Sequence, residues 1–259
     1  MKERLDRLVF DKGLATTRSQ AESAIRLGHI KVNNKVVQKP GFFVAPTDDI
    51  TSVASETYVS RAGLKLASVA TMLKLDFTDK TILDVGSSTG GFTDYALQHG
   101  AKKVFAVDVG TNQLHPNLRV NQKIELHEQT NILDVRCSIF DSRKNTEIVN
   151  QTPIIYIQDV PDMIVIDVSF VSLRQLLPHI AKHLAGKNTH IIAMVKPQFE
   201  SGDVAKHSGV IKNNTVRRKI LHDFEIWAKQ IFVIVAKADS AVKGSKGNQE
   251  RFYILKIQK

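Results

Sequence analysis

A glycine-rich segment after residue 85 limits what this chain can fold into more than any other feature. It follows a short apolar run, 82–85, precedes a helical pattern near 92–99, and consists of Gly86-Ser87-Ser88-Thr89-Gly90-Gly91. In open α/β sheets, ligands bind beyond the carboxyl ends of the strands, where glycines let the backbone approach closely. The segment lacks both the G-x-G-x-x-G dinucleotide spacing and the lysine of a P-loop. We therefore expect a ligand loop of another class, the alternative being an ordinary turn between a strand and a helix.

Apolar runs of strand length alternate with helical patterns over the rest of the chain after residue 80. The predicted strands cover 82–85, 104–107, 163–166, 190–195, 231–236 and 252–257. A helix containing Leu173, Leu176, Leu177 and Ile180 separates two of them. This alternation predicts an α/β fold with a doubly wound, Rossmann-like parallel sheet, which we assign to residues 61–259.

Residues 1–54 are predicted to form a separate small α+β domain. One helix carries Leu5, Leu8 and Val9 and stops at Gly13, and a second, capped by Thr17 or Ser19, carries Ala21, Ala24 and Ile25. Asn33-Asn34 predicts a hairpin turn between short strands, and Val44 and Ile50 predict one last short strand. The polar stretch 51–57 predicts a linker, which we place at 55–60.

The charge of the chain limits the classes of partner that it can bind, and its cysteine content indicates the cellular compartment. Lys and Arg outnumber Asp and Glu by 36 to 26, a formal net charge of +10, which favours nucleic acid first and an acidic membrane surface second. Cys137 is the single cysteine, which excludes an intramolecular disulfide and a Cys-ligated metal cluster and fits the cytoplasm. No apolar run approaches the ~18–20 residues of a membrane span, and the charged N-terminus does not resemble a signal peptide. The 9 histidines form no metal-ligand pattern.

Charged residues follow three of the predicted strands. Asp108 ends the strand after the glycine loop, where an acid can accept hydrogen bonds from the ribose of a nucleoside cofactor. The alternatives are a helix N-cap and a solvated strand end. Asp167 and Lys196 follow two fully apolar strands, where a charge is costly unless it is paired. They form either a structural ion pair or a catalytic pair, and their position beside the glycine loop favours catalysis. The residues do not identify the nucleoside.

Several motifs resemble those of the TlyA family, also called haemolysin A, of ribosomal RNA ribose methyltransferases, whose catalytic domain is FtsJ-like. Residues 4–50 resemble the small RNA-binding domain of a ribosomal protein through Arg4-Leu5-Asp6-Arg7-Leu8, 17–21 and 28–33. The segment 58–66 resembles the entry to the catalytic domain. Asp167-Val168-Ser169-Phe170, Lys196-Pro197-Gln198-Phe199-Glu200 and Gly247-Asn248-Gln249-Glu250 then follow in family order. Ser87 stands where the family usually has Ala, Ala241 where Pro is common, and Arg251 where an apolar residue is usual.

The resemblance implies S-adenosyl-L-methionine as cofactor and methyl transfer to a ribose 2'-hydroxyl, that of a cytidine, in ribosomal RNA. It implies a Rossmann-like methyltransferase sheet and a catalytic tetrad of Lys65, Asp167, Lys196 and Glu250. Lys196 would orient and deprotonate the hydroxyl with Asp167 as its partner, and no metal would be needed. The implied cofactor-binding residues are Asp84, Gly86, Ser88, Thr89, Gly90, Gly91, Phe92, Asp108 and Val109.

The expected partner is ribosomal RNA or a ribosomal subunit, with no membrane and no obligate protein partner. The predicted RNA contacts are Arg4, Arg7, Arg18, Arg26, Lys31 and Arg61, each of which has a solvated surface position as its alternative. Three other functions remain open: a non-catalytic RNA-binding protein, a membrane-active haemolysin-like protein, and a pseudouridine synthase, suggested by Arg4-Leu5-Asp6. The intact set of Lys65, Asp167 and Lys196 argues against a non-catalytic protein. The lack of an insertable segment argues against a membrane-active protein, and the cofactor loop downstream argues against a pseudouridine synthase.

Overall fold

The computed structural model describes residues 2–15, 18–26, 28–52, 58–140, 154–201, 209–244 and 246–258. The chain divides into two units, 1–61 and 62–259. The described elements run β1 (Glu3–Arg4), α1 (Leu5–Asp11), α2 (Arg18–Arg26), β2 (Ile30–Val32), β3 (Lys35–Val36), β4 (Phe43–Val44), β5 (Ile50–Ser52), α3 (Arg61–Leu73), β6 (Thr81–Val85), α4 (Gly91–Gln98), β7 (Lys103–Val107), α5 (Pro116–Arg119), β8 (Ile124–His127), β9 (Val135–Cys137), β10 (Ile155–Ile157), β11 (Met163–Ile166), α6 (Leu173–His183), β12 (His190–Val195), α7 (Pro197–Glu200), α8 (Asn214–Ala228), β13 (Phe232–Asp239) and β14 (Arg251–Ile257).

The first unit packs two helices with short antiparallel strands. The helices α1 and α2 lie together, and β3, β2 and β5 form a three-stranded sheet in that order. Asn33 and Asn34 both have positive φ angles, 48° and 64°, as a tight two-residue hairpin turn requires, which confirms the predicted turn. The core of this unit consists of Leu5, Val9, Ala21, Ile25, Ile30, Val32, Val44 and Ile50.

Two predictions for this unit were wrong. Val44 and Ile50 lie on different strands: β4 pairs with β1, and β5 pairs with β2. The pairing partner of a two-residue strand depends on contacts distant in sequence, which the local pattern does not contain. Thr51 and Ser52 belong to β5 and not to a linker, because their backbone pairs with Lys31 and Ile30. Thr17, offered as a helix cap, and residues 53–57 of the predicted linker lie outside the described residues.

The second unit contains a seven-stranded sheet in its described part, with strand order β13-β14-β12-β11-β6-β7-β8. Five neighbouring strands, β12, β11, β6, β7 and β8, are parallel. The chain winds outward from β6 to β8 and then returns to the other side of β6 with β11, so the strand order reverses between β6 and β11. Strand residues of both faces are buried, which is the burial expected when helices cover both faces of a sheet.

The parallel pattern ends at β14, which runs antiparallel to both β12 and β13. The reason is the connection: only residues 240–250 join β13 to β14, and a parallel crossover usually needs a helix. One large core lies where α6 and α8 pack on the sheet, with Leu177, Phe224 and Tyr253 fully buried. The sheet therefore holds the carboxyl ends of β6, β7, β11 and β12 rigidly at one edge, with the start of β14 beside them.

Candidate active site

The glycine loop occupies the point where the strand order reverses. Gly86 has a φ of 80°, and a Cβ placed there would lie 2.7 Å from the backbone oxygen of Asp167. A side chain at this position would therefore push the loop away from the end of β11. Gly90 has a φ of 92° and begins α4 as its N-cap, and its missing Cβ makes room for Leu118 and Leu114. Both glycines are required by geometry.

Asp84 lies at the end of β6 beneath this loop. Its side chain is buried, and its Oδ2 accepts a hydrogen bond of 2.6 Å from Thr93 Oγ1 on α4. Burial raises the pKa of Asp84 to about 7, with Asp167 and Asp108 adding like-charge repulsion and the Thr93 bond opposing the rise. Among the described residues, Asp84 Oδ1 and Ser87 Oγ are buried without a hydrogen-bond partner.

Asp108 follows β7 and is fastened to the same loop. Its Oδ2 accepts from the backbone nitrogen of Ser88 at 2.8 Å, and its Oδ1 accepts from Gly110 at 2.7 Å. Each carboxylate oxygen keeps a further lone pair for another donor. Ser88, Thr89 and Val109 are exposed. Phe92 is 2% exposed and packs against Phe252, so its side chain belongs to the core and only its backbone could face a ligand.

The charged residues after β11 and β12 form an ion pair. Lys196 Nζ lies 2.6 Å from Asp167 Oδ1, and both side chains are largely buried. The angles of this contact are not those of a hydrogen bond. The Lys196 amine instead donates a hydrogen bond of 2.8 Å to Ser169 Oγ. Asp167 and Ser169 thus fix the position of one lysine amine from two sides. Sequence reasoning missed Ser169, although it lies inside the motif that contains Asp167.

A second ion pair joins α3 to the start of β14. Lys65 Nζ lies 2.7 Å from Glu250 Oε2, and the side chains are 12% and 3% exposed. Val195 pairs with Arg251 across the sheet, so the next residues, Lys196 and Glu250, leave neighbouring strands at the same edge. Of the four residues of the implied tetrad, Glu250 had the least sequence support, because the charged Arg251 follows it where the family usually has an apolar residue. The structure accommodates that residue: Arg251 Nε donates to Asp239 at 2.6 Å.

Two aromatic rings, one from the loop after β11 and one from the segment after β12, lie against each other. Phe170 is 90% exposed, has a φ of 67°, and lies with its ring centroid 5.2 Å from that of Phe199. A positive φ is a strained conformation for a bulky residue, and such strain is concentrated at functional sites. Phe170 was not among the predicted site residues, because its exposure and backbone angle are visible only in the structure.

The comparison with known proteins assigns the family. The model of the FtsJ-like methyltransferases matches residues 58–257, and that of the S4 domain matches residues 3–50. The chain belongs to the FtsJ-like methyltransferase family. Its predicted membership of the haemolysin A and TlyA group is confirmed by relatives that align over most of their length, and the predicted fold class is confirmed with it.

Three relatives of this FtsJ-like methyltransferase show the extent of the similarity. Hemolysin A of Brachyspira hyodysenteriae is 38% identical over 252 residues, 95% of this chain and 97% of that protein. The 23S rRNA (cytidine-2'-O)-methyltransferase TlyA of Campylobacter jejuni is 41% identical over 202 residues, 77% of this chain and 71% of that protein. A solved structure from Streptococcus thermophilus, at 33% identity, has a TM-score of 0.68 and covers 99% of this chain and 89% of that one.

The S4 domain of the methyltransferase uses some of its basic residues internally. Asp6 is fully buried, accepts two bonds from Arg4 and lies 3.4 Å from Arg18; the Arg4 bond holds the pKa of Asp6 below its usual range. A fully buried, doubly paired carboxylate cannot reach a substrate, which removes the reason for a pseudouridine synthase. The Arg7 side chain is 67% exposed, and its Nε lies 3.5 Å from Asp11 Oδ2.

The remaining predicted RNA contacts are partly exposed or undescribed. Lys31 lies in β2 and Arg61 in the first turn of α3, both partly exposed, and the side chain of Arg26 is outside the described part of the chain. Among the described residues, no cluster of three or more His, Cys, Asp or Glu could hold a metal ion. No helix there is long and apolar enough to cross a membrane.

Proposed function

We propose that this methyltransferase transfers a methyl group from S-adenosyl-L-methionine to a ribose 2'-hydroxyl of ribosomal RNA. The observation that carries the proposal is the amine of Lys196, held by Asp167 and Ser169 at the strand end beside the glycine loop. The relatives named as 2'-O-methyltransferases support the reaction, and the name of the Campylobacter jejuni relative supports cytidine as the target. RNA binding is assigned to 1–54 and methyl transfer to 61–259, joined by 55–60.

The residues around the glycine loop fit the cofactor. Gly86 lets the loop pack directly against the end of β11, and two buried polar atoms beside it, Asp84 Oδ1 and Ser87 Oγ, lack partners in the described structure. Asp108, which is partly exposed, has lone pairs for ribose hydroxyls. The backbone of 86–92 and 109 would complete the site. When bound, S-adenosyl-L-methionine supplies a methyl group on a sulfonium sulfur, which is already strongly electrophilic.

The protein's task is then to orient the nucleophile and take its proton. A ribose hydroxyl beside Lys196 Nζ would be aligned by the amine and would lose its proton to the amine in its neutral form. Asp167 and Ser169 keep the amine in place, so the reacting oxygen is presented in one geometry. The second pair, Lys65 and Glu250, adds one positive and one negative charge and so leaves the net charge of the nearly buried site unchanged.

The exposed ring of Phe170 provides a surface for the target base. Proteins recognise single RNA nucleotides by stacking unpaired bases on aromatic side chains, each worth about 1–3 kcal/mol. Phe170 lies in the same loop as Asp167 and Ser169, which hold the Lys196 amine, so we assign the target base to this ring. The S4 domain would bind the folded RNA around that nucleotide by its shape and phosphates.

The test is methyl transfer from labelled cofactor into ribosomal RNA and into intact subunits. We expect labelling by the wild-type protein and a loss of about 100-fold to 10,000-fold in kcat for Lys196→Ala. Lys102→Ala removes an exposed lysine at the opposite end of the sheet and should keep full activity. A 2'-O-methyl group blocks alkaline cleavage at its nucleotide, so a protected position must appear with the label. Unchanged labelling by Lys196→Ala would refute the role of this lysine.

A further inference from the structure

Three contacts join the loop after β11 to the loop after β12. The first is the Lys196 pair with Asp167 and Ser169. The second is the pair of rings Phe170 and Phe199. The third is made by Glu200, whose contacts the proposed reaction does not use. The geometry of the site therefore depends on how firmly segments 167–173 and 196–200 are held together.

Glu200 reaches from the second segment to the first. Its Oε2 accepts a hydrogen bond of 2.6 Å from Ser172 Oγ, and its Oε1 accepts one of 2.7 Å from the backbone nitrogen of Leu173. Arg174 Nε lies 3.7 Å away, beyond hydrogen-bond range. Hydrogen bonds to an ionised carboxylate are roughly twice as strong as neutral ones. Both bonds end at the start of α6, at its N-cap Ser172 and its first residue Leu173.

The helix α6 already has an N-cap, so it does not need the Glu200 carboxylate to begin. Ser172 already caps α6 by accepting from the backbone nitrogen of Arg174 at 3.2 Å. The Glu200 side chain is 1% exposed, so its charge has been removed from water at a considerable cost. Burial raises the pKa of Glu200, while the two hydrogen bonds oppose the rise. An extra cap alone would not require a carboxylate from a separate segment, buried to this degree.

We propose that Glu200 is a positioning residue, which fixes segment 167–173 against segment 196–200 and so places Asp167 and Phe170 relative to Lys196. This inference rests on the proposed function, since it assigns those residues to methyl transfer. Glu200 acts through Ser172 and Leu173 and does not touch the substrate. Loss of its carboxylate would leave the fold and the glycine loop intact but would loosen the alignment on which the rate depends.

The test compares Glu200→Gln, Ser172→Ala and the double variant with Asp162→Asn. The control residue also accepts a hydrogen bond from a distant backbone nitrogen, that of Thr81 at 2.8 Å, but at the amino ends of the strands. We expect Glu200→Gln to lower kcat at least 10-fold, with cofactor Kd within twofold of wild type and Tm little changed. Hydrogen exchange should rise about 10-fold at the amide of Leu173 and not in 81–85. In kcat, the double variant should be no worse than Glu200→Gln, because the Ser172 hydroxyl acts on the site through Glu200. Ser172→Ala also removes the cap on the backbone nitrogen of Arg174, and that loss should appear in Tm.

Either of two results would overturn the inference. In the first, Glu200→Gln keeps wild-type kcat or wild-type exchange at Leu173. In the second, kcat, cofactor affinity and Tm fall together, which would make Glu200 a general stabilising residue. If the wild-type protein itself methylates no ribosomal RNA, the proposed function fails. The exchange measurement then still decides whether Glu200 holds the two segments together.

Discussion

Asp84 shows how the fold can oppose the ionisation of a single carboxyl group. Its unfolded pKa is about 3.9, and burial raises its pKa in the folded protein to about 7. Below pH 4 both states are protonated. Between pH 4 and 7 the folded state keeps the proton that the unfolded state has lost, so the free energy of unfolding falls as the pH rises. Above pH 7 both states are ionised and this contribution stays constant.

We predict that Asp84→Asn removes this loss. The amide oxygen can still accept from Thr93, so the variant should gain stability relative to wild type by up to about 4 kcal/mol between pH 4 and 8. Urea unfolding across that range measures the difference. Asp76→Asn is the control with opposite sign, because a backbone bond from Thr78 lowers the pKa of Asp76. A difference between Asp84→Asn and wild type that does not vary with pH would contradict the prediction.

At the scale of elements, the glycine loop packs so closely on the end of β11 that a change in one should shift the other. We predict that Gly86→Ala weakens cofactor binding at least 10-fold, because its Cβ would meet the Asp167 backbone oxygen at 2.7 Å. The rigid backbone cannot yield as a flexible side chain would. Isothermal titration with the cofactor measures the effect.

Gly100→Ala is the matched control for that substitution. Gly100 also has a positive φ, 87°, but its nearest neighbour is Thr78, at 3.3 Å and away from the site. This variant should lose some stability through backbone strain and keep its cofactor affinity. Equal losses of affinity in the two variants would show that φ strain, and not the approach to Asp167, limits Gly86.

The sequence predicted the elements that are buried over their whole length. The runs 163–166 and 190–195 have the bounds of β11 and β12, because a fully buried parallel strand is apolar throughout and ends at a charge. The pairing of β1 with β4 and the antiparallel direction of β14 were not predictable in this way. Strand pairing is settled by contacts between distant segments, and an apolar run does not record its direction.

The residues of the candidate site also divide into those that the sequence predicted and those that it did not. Asp167 and Lys196 were found because a charge after an apolar strand is conspicuous, and the resemblance to a family added Lys65 and Glu250. Ser169 and Glu200 act through hydrogen bonds that cross from one strand end to the next. No periodicity or spacing marks such a bond, so these two residues could be recognised only once β11 and β12 were seen side by side.

At the scale of the whole molecule, the net charge of +10 is useful only where the arginines are free to meet phosphates. Arg7 and Arg4 are close in sequence but differ in this respect. Arg7 is 67% exposed with one loose contact to Asp11, whereas Arg4 makes a two-bond pair with the buried Asp6. The basic residues of the S4 domain therefore divide into those available to RNA and those that hold the domain together.

We predict that Arg7→Ala weakens binding to ribosomal RNA equally across sequences. The negative slope of log K against log salt concentration should become shallower by about 1, and the thermal stability of the protein should not change. Arg4→Ala should instead lower the thermal stability of the full-length protein, because Asp6 loses its main partner while its carboxylate stays buried. RNA titrations between low and physiological salt, with melting curves of the same samples, separate the two effects. If Arg7→Ala leaves the salt slope unchanged, the Arg7 guanidinium does not meet a phosphate, and Lys31 and Arg61 become the next candidates for RNA contacts.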